Sequence, residues 1–280
     1  MRIAAGIILL LIAVTLAEAQ SKQDKIKAAE VLGDTLLSQQ NFVEALNQYN
    51  KVIKSTKLKD VESRQILYKR ALCYFYLNDF NKALADLNTF IEDNPNLYRA
   101  RILRAFIYRE LEDPQKQLVD LSEVLEWDPL NTDLLKWRAG LLVETSLYDS
   151  AITEFKRIQL YGNDEETELY LGLCYYNLAK PDSALIHFDE SIKINGGYIP
   201  AYLYAASVHL EEESFEEAKS YIDLGLMLDA QNLQLIFYKG IVLVETGNKD
   251  EGCRLLNKAF YGGIDDASDY LVEYCYPKEE

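Results

Sequence analysis

The feature of this sequence that most constrains its fold is a recurring small residue, followed by a large apolar residue four positions later. Five alanines hold this position, and Gln117 and Gly252 continue the series. Successive positions are 38, 34, 34, 33, 34 and 34 residues apart, which indicates seven copies of one structural unit. The five alanines are Ala45, Ala83, Ala151, Ala184 and Ala218. We call these five residues, together with Gln117 and Gly252, the anchors.

A second small residue stands twelve positions before each anchor. Because small side chains allow two helix backbones to approach closely, a pair of them in each unit predicts a hairpin of two packed α-helices. Turn-forming pairs between them, such as Asn78-Asp79 and Asp113-Pro114, fit the same interpretation. The second set of small residues is Gly33, Ala71, Ala105, Ala139, Gly172, Ala206 and Gly240.

This pattern resembles the tetratricopeptide repeat over residues 24 to 275. Tyr74, Tyr108 and Tyr175 match its tyrosine position, and Pro95 and Pro129 match its proline position. Gln117 and Gly252 depart from its anchor alanine, and four extra residues precede the second unit. The resemblance implies an all-α fold, a right-handed α-solenoid of about seven helical hairpins with a C-terminal capping helix. The predicted single solenoid domain covers 20–280, with repeats at 26–59, 64–97, 98–131, 132–164, 165–198, 199–232 and 233–262 and a cap at 264–275.

The first 19 residues have the composition of a secretory signal peptide. Arg2 provides a positive charge, Ile3 to Leu16 are apolar or small, and Ala17-Glu18-Ala19 fits a cleavage site. The apolar run is shorter than the ~20 residues that span a bilayer, so an uncleaved anchor is the less favoured alternative. We therefore expect a mature protein without membrane insertion, beginning near Gln20, in the periplasm or outside the cell.

Charge is distributed unevenly along the chain. Residues 20–138 carry 18 basic and 18 acidic residues, whereas residues 139–280 carry 10 basic and 26 acidic residues. Because nucleic-acid binding depends on clustered lysine and arginine, the acidic half argues against a nucleic-acid partner.

The sequence contains no recognisable catalytic or metal-binding motif. Its two histidines, His187 and His209, lack other metal ligands at the required spacing, so we expect structural roles for them. The acidic runs 164–168 and 211–217 are interpreted as solvated surface. We therefore predict no cofactor, no metal and no enzymatic activity, and an enzyme or a carbohydrate-binding module is the disfavoured alternative.

The four cysteines allow three pairings. Cys73 and Cys174 hold equivalent positions three repeats apart, so we expect both to be buried free thiols. Cys253 and Cys275 are close enough in sequence to form a disulfide in an oxidising compartment, although the pairing is left open here.

The resemblance implies that the first helix of each repeat lines a concave groove. Aromatic side chains suit peptide binding because they offer large contact area and have few rotors. The alternative is that many of these residues pack against the adjacent first helix. Glu30 and Asp34 occupy the places where the family's carboxylate clamp needs basic and asparagine residues, so that activity is not expected. The candidate groove residues are Tyr68, Lys69, Phe75, Tyr76, Arg99, Phe106, Arg109, Lys136, Trp137, Tyr170, Tyr176, Tyr204, Phe237 and Tyr238.

The function predicted from the sequence is a non-enzymatic scaffold that binds a peptide or protein segment in this groove, in the cell envelope. The alternative is a structural or assembly subunit of an envelope complex that docks by its ends or its convex face. The sequence identifies neither the partner nor the oligomeric state, because fold-level resemblance carries function only weakly.

Overall fold

The computed structural model describes the backbone of residues 2–59 and 61–276, and their side chains except those of 2–19, 62 and 63. The described residues are helical and contain no strand. They form two compact units, which meet in sequence between Pro129 and Leu130. The all-α class and the array of paired helical hairpins are therefore confirmed, whereas the domain and repeat boundaries remain predictions.

The first unit contains three helical hairpins and a short connecting helix. Helix α1 pairs with α2, α4 with α5, and α6 with α7, while α3 leads into α4. The helices are α1 Arg2–Ser38, α2 Phe42–Thr56, α3 Val61–Arg64, α4 Ile66–Tyr76, α5 Phe80–Asp93, α6 Tyr98–Glu110 and α7 Pro114–Trp127.

The second unit contains four hairpins and a cap. Helix α8 pairs with α9, α10 with α11, α12 with α13, and α14 with α15. The cap consists of α16 and the π-helical segment after it, and both pack on α15. The cap places Leu271 in the core beside Leu256. The helices are α8 Thr132–Glu144, α9 Tyr148–Gln159, α10 Glu165–Asn177, α11 Pro181–Ile194, α12 Ile199–Glu211, α13 Phe215–Leu228, α14 Leu233–Glu245, α15 Lys249–Tyr261 and α16 Ala267–Tyr270, and the π-helical segment is Leu271–Cys275.

The recurring small residues lie where the two helices of a hairpin touch. The five anchor alanines are fully buried. A Cβ at Gly33 would lie 2.6 Å from the Tyr49 ring, and one at Gly240 would lie 2.9 Å from Leu256. Larger side chains at Gly33 and Gly240 would separate the helices, so the small residues there permit the close packing of their hairpins.

Each hairpin turn contains one residue with a left-handed backbone. In the fourth to sixth hairpins these residues are Ser146, Ala179 and Glu213, with φ values of 59°, 55° and 57°. The next amide in each case donates to the carbonyl five residues earlier, as Ser214 N does to His209 O at 2.8 Å. This Schellman-type ending satisfies terminal carbonyls of the first helix and reverses the chain into the second.

None of the helices in the described part of the chain is both long enough and apolar enough to span a membrane. Met1 and the side chains of residues 2–19, on which the signal-peptide prediction rests, lie outside the described residues.

Candidate functional site

A concave feature of the first unit lies between α4 and α6, the first helices of two consecutive hairpins. It is a pocket of ≈ 440 Å³, which we call the α4–α6 pocket. Lining residues on α4 recur at spacings of three to four residues, which places them on one helical face, and those on α6 do the same. Its lining residues are Tyr68, Leu72, Phe75, Tyr76, Arg99, Ile102, Leu103, Phe106 and Arg109.

Six of the fourteen predicted groove residues meet in this pocket. They are Tyr68, Phe75, Tyr76, Arg99, Phe106 and Arg109. The sequence prediction omitted Leu72, Ile102 and Leu103, because an apolar residue on a helix fits a core position equally well.

Aromatic contacts hold the α4 side of the pocket in place. Tyr76 stacks on Phe42 with ring centroids 4.4 Å apart, and its other neighbour, Phe75, lies 5.3 Å away edge-on. Tyr68 packs against Phe90 at 5.4 Å. Because these rings are positioned by contacts within the chain, both inside a hairpin and between neighbouring hairpins, the pocket wall is largely preformed.

The pocket combines this apolar wall with positive charge. Arg99 is exposed at the start of α6. Burial raises the pKa of Tyr68, and the nearby positive charge of Arg99 partly offsets that rise. The Arg109 guanidinium lies 4.9 Å from the Phe106 ring centroid, within cation–π range, and 3.6 Å from Glu110. An apolar group that carries a carboxylate matches this arrangement.

Lys69 forms ion pairs with two acidic residues of the preceding hairpin. Its Nζ lies 2.8 Å from both Glu30 Oε1 and Asp34 Oδ2, and Tyr49 donates to Asp34 at 3.0 Å. Burial lowers the pKa of Lys69, but the two hydrogen-bonded carboxylates outweigh it and raise the pKa above its ordinary value. The two acidic residues that replace clamp residues thus neutralise this lysine within the chain.

In the second unit, Lys136 and Tyr170 line a small pocket of ≈ 100 Å³. Lys136 forms an ion pair with Asp164, and Tyr170 stacks on Phe155 at 5.4 Å with an interplanar angle of 4°. Trp137 is half-buried on α8. The volume suits a few atoms rather than a side chain of a partner.

The remaining predicted residues of the second unit contact neighbours within the chain. Tyr176 donates to Glu211, a bond that raises the pKa of Tyr176 to about 12. Tyr204 stacks on Phe188 at 5.8 Å, and burial raises the pKa of Tyr238. Phe237 is only 4% exposed and meets Tyr270 of the cap at 5.7 Å, so it is a core residue and not part of an open wall.

The expectation that the acidic run 164–168 is solvated surface is wrong for Glu168. This carboxylate is 2% exposed and accepts hydrogen bonds from Gln159 at 2.7 Å and Asn163 at 2.5 Å. His187 Nδ1 lies 2.6 Å from its other oxygen, so His187 does have a carboxylate partner. Among the described residues no group of three potential ligands is arranged for a metal ion.

A set of buried ion pairs within the hairpins is not among the features predicted from the sequence. Arg70 binds Asp86 through two hydrogen bonds of 2.7 Å, and Arg104 binds Asp120 at 2.8 and 2.6 Å. Both arginines precede the small residue of their first helix, and both acids lie sixteen residues later. Both the arginines and the acids therefore recur at a spacing of 34 residues, and this recurrence in the sequence could have predicted the ion pairs.

The structure joins Cys253 and Cys275 in a disulfide with Cα atoms 5.7 Å apart, which ties α15 to the cap. Cys73 and Cys174 are buried free thiols. Burial raises the pKa of Cys73 to about 11 and that of Cys174 to about 12.

Comparisons with known proteins find several that resemble this chain. The family model described as tetratricopeptide repeat matches residues 65–97. The mitochondrial import receptor subunit TOM70 of Rattus norvegicus is 24% identical over 276 residues, which cover 91% of this chain and 45% of the receptor. The chain therefore spans less than half the length of that relative.

Two solved structures share the fold. The C-terminal part of a tetratricopeptide-repeat protein from Cytophaga hutchinsonii has a TM-score of 0.67 at 16% identity, covering 86% of this chain and 98% of that one. YrrB, described as a tetratricopeptide-repeat protein with an unusual peptide-binding site, has a TM-score of 0.51 at 18% identity, covering 66% of this chain and 96% of YrrB.

Proposed function

We propose that this chain is a tetratricopeptide-repeat protein that acts as a non-enzymatic interaction scaffold, and that its α4–α6 pocket binds a segment of a partner protein. The observation that carries the proposal is the convergence of six predicted groove residues on one concave site. The peptide-binding site described for YrrB supports this type of ligand.

The lining of the pocket defines the ligand chemistry. Leu72, Ile102 and Leu103 offer an apolar floor, and four aromatic rings add contact area. Arg99 adds a positive charge at an exposed position. The ligand is therefore a peptide with a large apolar side chain beside a carboxylate, since the side chain is desolvated while the carboxylate meets the guanidinium.

A panel of acetylated, fluorescein-labelled octapeptides tests this proposal by fluorescence polarisation. Each peptide carries leucine or phenylalanine at one position and aspartate, asparagine or lysine at the next. We expect the wild-type protein to prefer the aspartate peptides, and Arg99→Glu to reverse that preference. The wild type should bind the aspartate peptides about tenfold more tightly than the asparagine peptides, and those about tenfold more tightly than the lysine peptides. Each tenfold difference in affinity is equivalent to about 1.4 kcal/mol.

Val119→Ser is the matched control, because Val119 is an exposed apolar residue of the second helix α7, outside the pocket. It should bind all peptides as the wild type does. Identical peptide preferences in the wild type, Arg99→Glu and Val119→Ser would contradict binding at the pocket. Circular dichroism of each variant confirms that the helices are intact.

The location of the protein is part of the proposal. The apolar first 19 residues and the disulfide between Cys253 and Cys275 support an oxidising compartment, the periplasm or the exterior. N-terminal sequencing of protein isolated from its native cells should give a chain that begins near Gln20. Recovery of the intact chain from the cytosol would contradict this location.

A further inference from the structure

The second unit carries a row of exposed apolar residues at the ends of its second helices. Nine and ten residues after the anchors, the chain places Leu160 and Tyr161, Ile194, Met227 and Leu228, and Tyr261. These six residues, which we call the edge row, are between 39% and 82% exposed. Large apolar residues repeated at such exposure are characteristic of interaction surfaces.

The repetition places the row along a single edge. Helices α9, α11, α13 and α15 are the second helices of consecutive hairpins, so the chain runs in the same direction in all four. Their C-terminal ends therefore lie on the same side of the unit. Packed helices are separated by 8–10 Å, and consecutive hairpins are spaced by about 10 Å, so the row extends over about 30 Å.

The row is a property of this unit and not of the repeat. At the equivalent positions of the first two hairpins the chain has Lys54, Ser55, Glu92 and Asp93. The third pair, Glu126 and Trp127, is mixed. Hairpin packing does not require apolar residues here, so packing does not explain the edge row.

Acidic residues accompany the row. The segments that include the ends of its helices and the connections after them, residues 159–166, 192–199, 226–233 and 260–267, contain six carboxylates and one lysine, and the helical turns just before them carry Lys156, Arg157 and Lys258. That lysine, Lys193, is bound to Glu190 at 2.8 Å. Four of these carboxylates have partners within the chain: Lys136 pairs with Asp164 and lies 4.0 Å from Glu166, Asn195 donates to Glu165, and Gln231 N donates to Asp229. Asp265 and Asp266 are exposed.

We propose that the edge row is a docking surface for a basic amphipathic helix of a partner protein. Apolar residues on one face of such a helix cover the row, while its lysines and arginines meet the carboxylates of the connections. About 20 helical residues span 30 Å, which matches the length of the row. A second copy of this chain or an anionic membrane would instead bring like charges together.

The surface is separate from the α4–α6 pocket, which lies in the other unit, so the two proposals stand or fall independently. The probe is a fluorescein-labelled 20-residue peptide of leucine and lysine with all leucines on one helical face. Two control peptides have glutamate in place of lysine, or the same composition with leucines distributed around the helix. We expect binding of the first peptide at least tenfold tighter than that of either control.

The variant Leu160→Ser/Met227→Ser/Tyr261→Ser removes the three most exposed members of the row without touching the core. It should weaken binding of the amphipathic peptide at least tenfold. Ile186→Ser/Leu224→Ser removes two other exposed apolar residues of the same unit and should leave binding unchanged. Asp265→Asn/Asp266→Asn should weaken binding severalfold and reduce its dependence on salt.

Equal binding by the wild type and the triple serine variant would overturn the proposal, as would equal binding of the lysine and glutamate peptides. Sedimentation velocity and co-sedimentation with phosphatidylserine vesicles examine the other occupants. A dimer or vesicle binding that the triple serine variant abolishes would also overturn it, because the row would then be covered by a second copy or a membrane.

Discussion

Gly172 on α10 lies so close to Phe188 on α11 that a Cβ at residue 172 would be 2.3 Å from Cε1 of the ring. Phe188 is completely buried, so its ring cannot move out into solvent to relieve such a contact. Gly140 on α8 is the opposite case, because nothing lies within 4 Å of a Cβ at that position.

Gly172→Ala should therefore destabilise the protein. Overpacking of a core costs about 1–3 kcal/mol, which exceeds the gain of about 1 kcal/mol in helix propensity. The measurement is the midpoint of urea unfolding. Gly140→Ala is the matched control and should raise the midpoint, since it gains helix propensity without a clash. If both variants raise the midpoint, the close approach at Gly172 is not a constraint.

The left-handed turn residues provide a second prediction. Glu213 has φ of 57° whereas Glu212, its neighbour, has φ of −87°. Both are exposed, so their replacement by glycine removes the same charge. Glu213→Gly should stabilise the protein by about 0.5–1 kcal/mol because glycine adopts the left-handed region without steric cost, and Glu212→Gly should not stabilise it. Equal unfolding midpoints for the two variants would contradict the turn geometry.

The buried arginine pairs provide a third prediction. Asp120 is 1% exposed and accepts two hydrogen bonds from Arg104. Asp120→Ala leaves that guanidinium buried without its carboxylate and should cost about 3–5 kcal/mol. Lys193→Ala removes an exposed pair with Glu190 and should cost less than about 1 kcal/mol. Comparable losses for the two variants in urea unfolding would show that burial of the pair does not matter.

The cysteines provide a fourth prediction. Since the pKa of Cys73 is raised to about 11 and that of Cys174 to about 12, neither thiol is ionised at pH 8. Native protein should therefore react slowly with Ellman's reagent at this pH. After denaturation without reductant, two thiols per chain should react, because Cys253 and Cys275 are bridged. Four reactive thiols in denatured protein would exclude the disulfide.

Part of the candidate site was predictable from the sequence. Helical spacing with the family resemblance placed Tyr68, Phe75 and Phe106 on facing helices, and they line one pocket. The same procedure placed Phe237 in the groove, although it is buried under the cap. Equivalent residues of different repeats lie at the same place in their hairpins, but the neighbouring element determines whether they are exposed. The last hairpin has the cap as its neighbour, and the cap covers Phe237.

Glu168 shows a second limit of sequence reasoning. Its sequence neighbours are acidic, and that composition is typical of solvent-exposed surface. Its hydrogen-bond donors, Gln159, Asn163 and His187, come from the preceding helix, the loop and the following helix. Only the assembled fold brings these donors to one carboxylate, and their hydrogen bonds offset the free-energy cost of burying it.

By itself the sequence determined the repeating hairpin, because small residues at a fixed spacing permit close helix contact and large ones do not. The helical class and the residues at the helix crossings follow from that periodicity. The tertiary structure decided which faces of the hairpins stay open, as at the α4–α6 pocket and the edge row, and which are closed by a neighbour. Exposure of a side chain depends on contacts between helices distant in sequence, and a local pattern does not contain them.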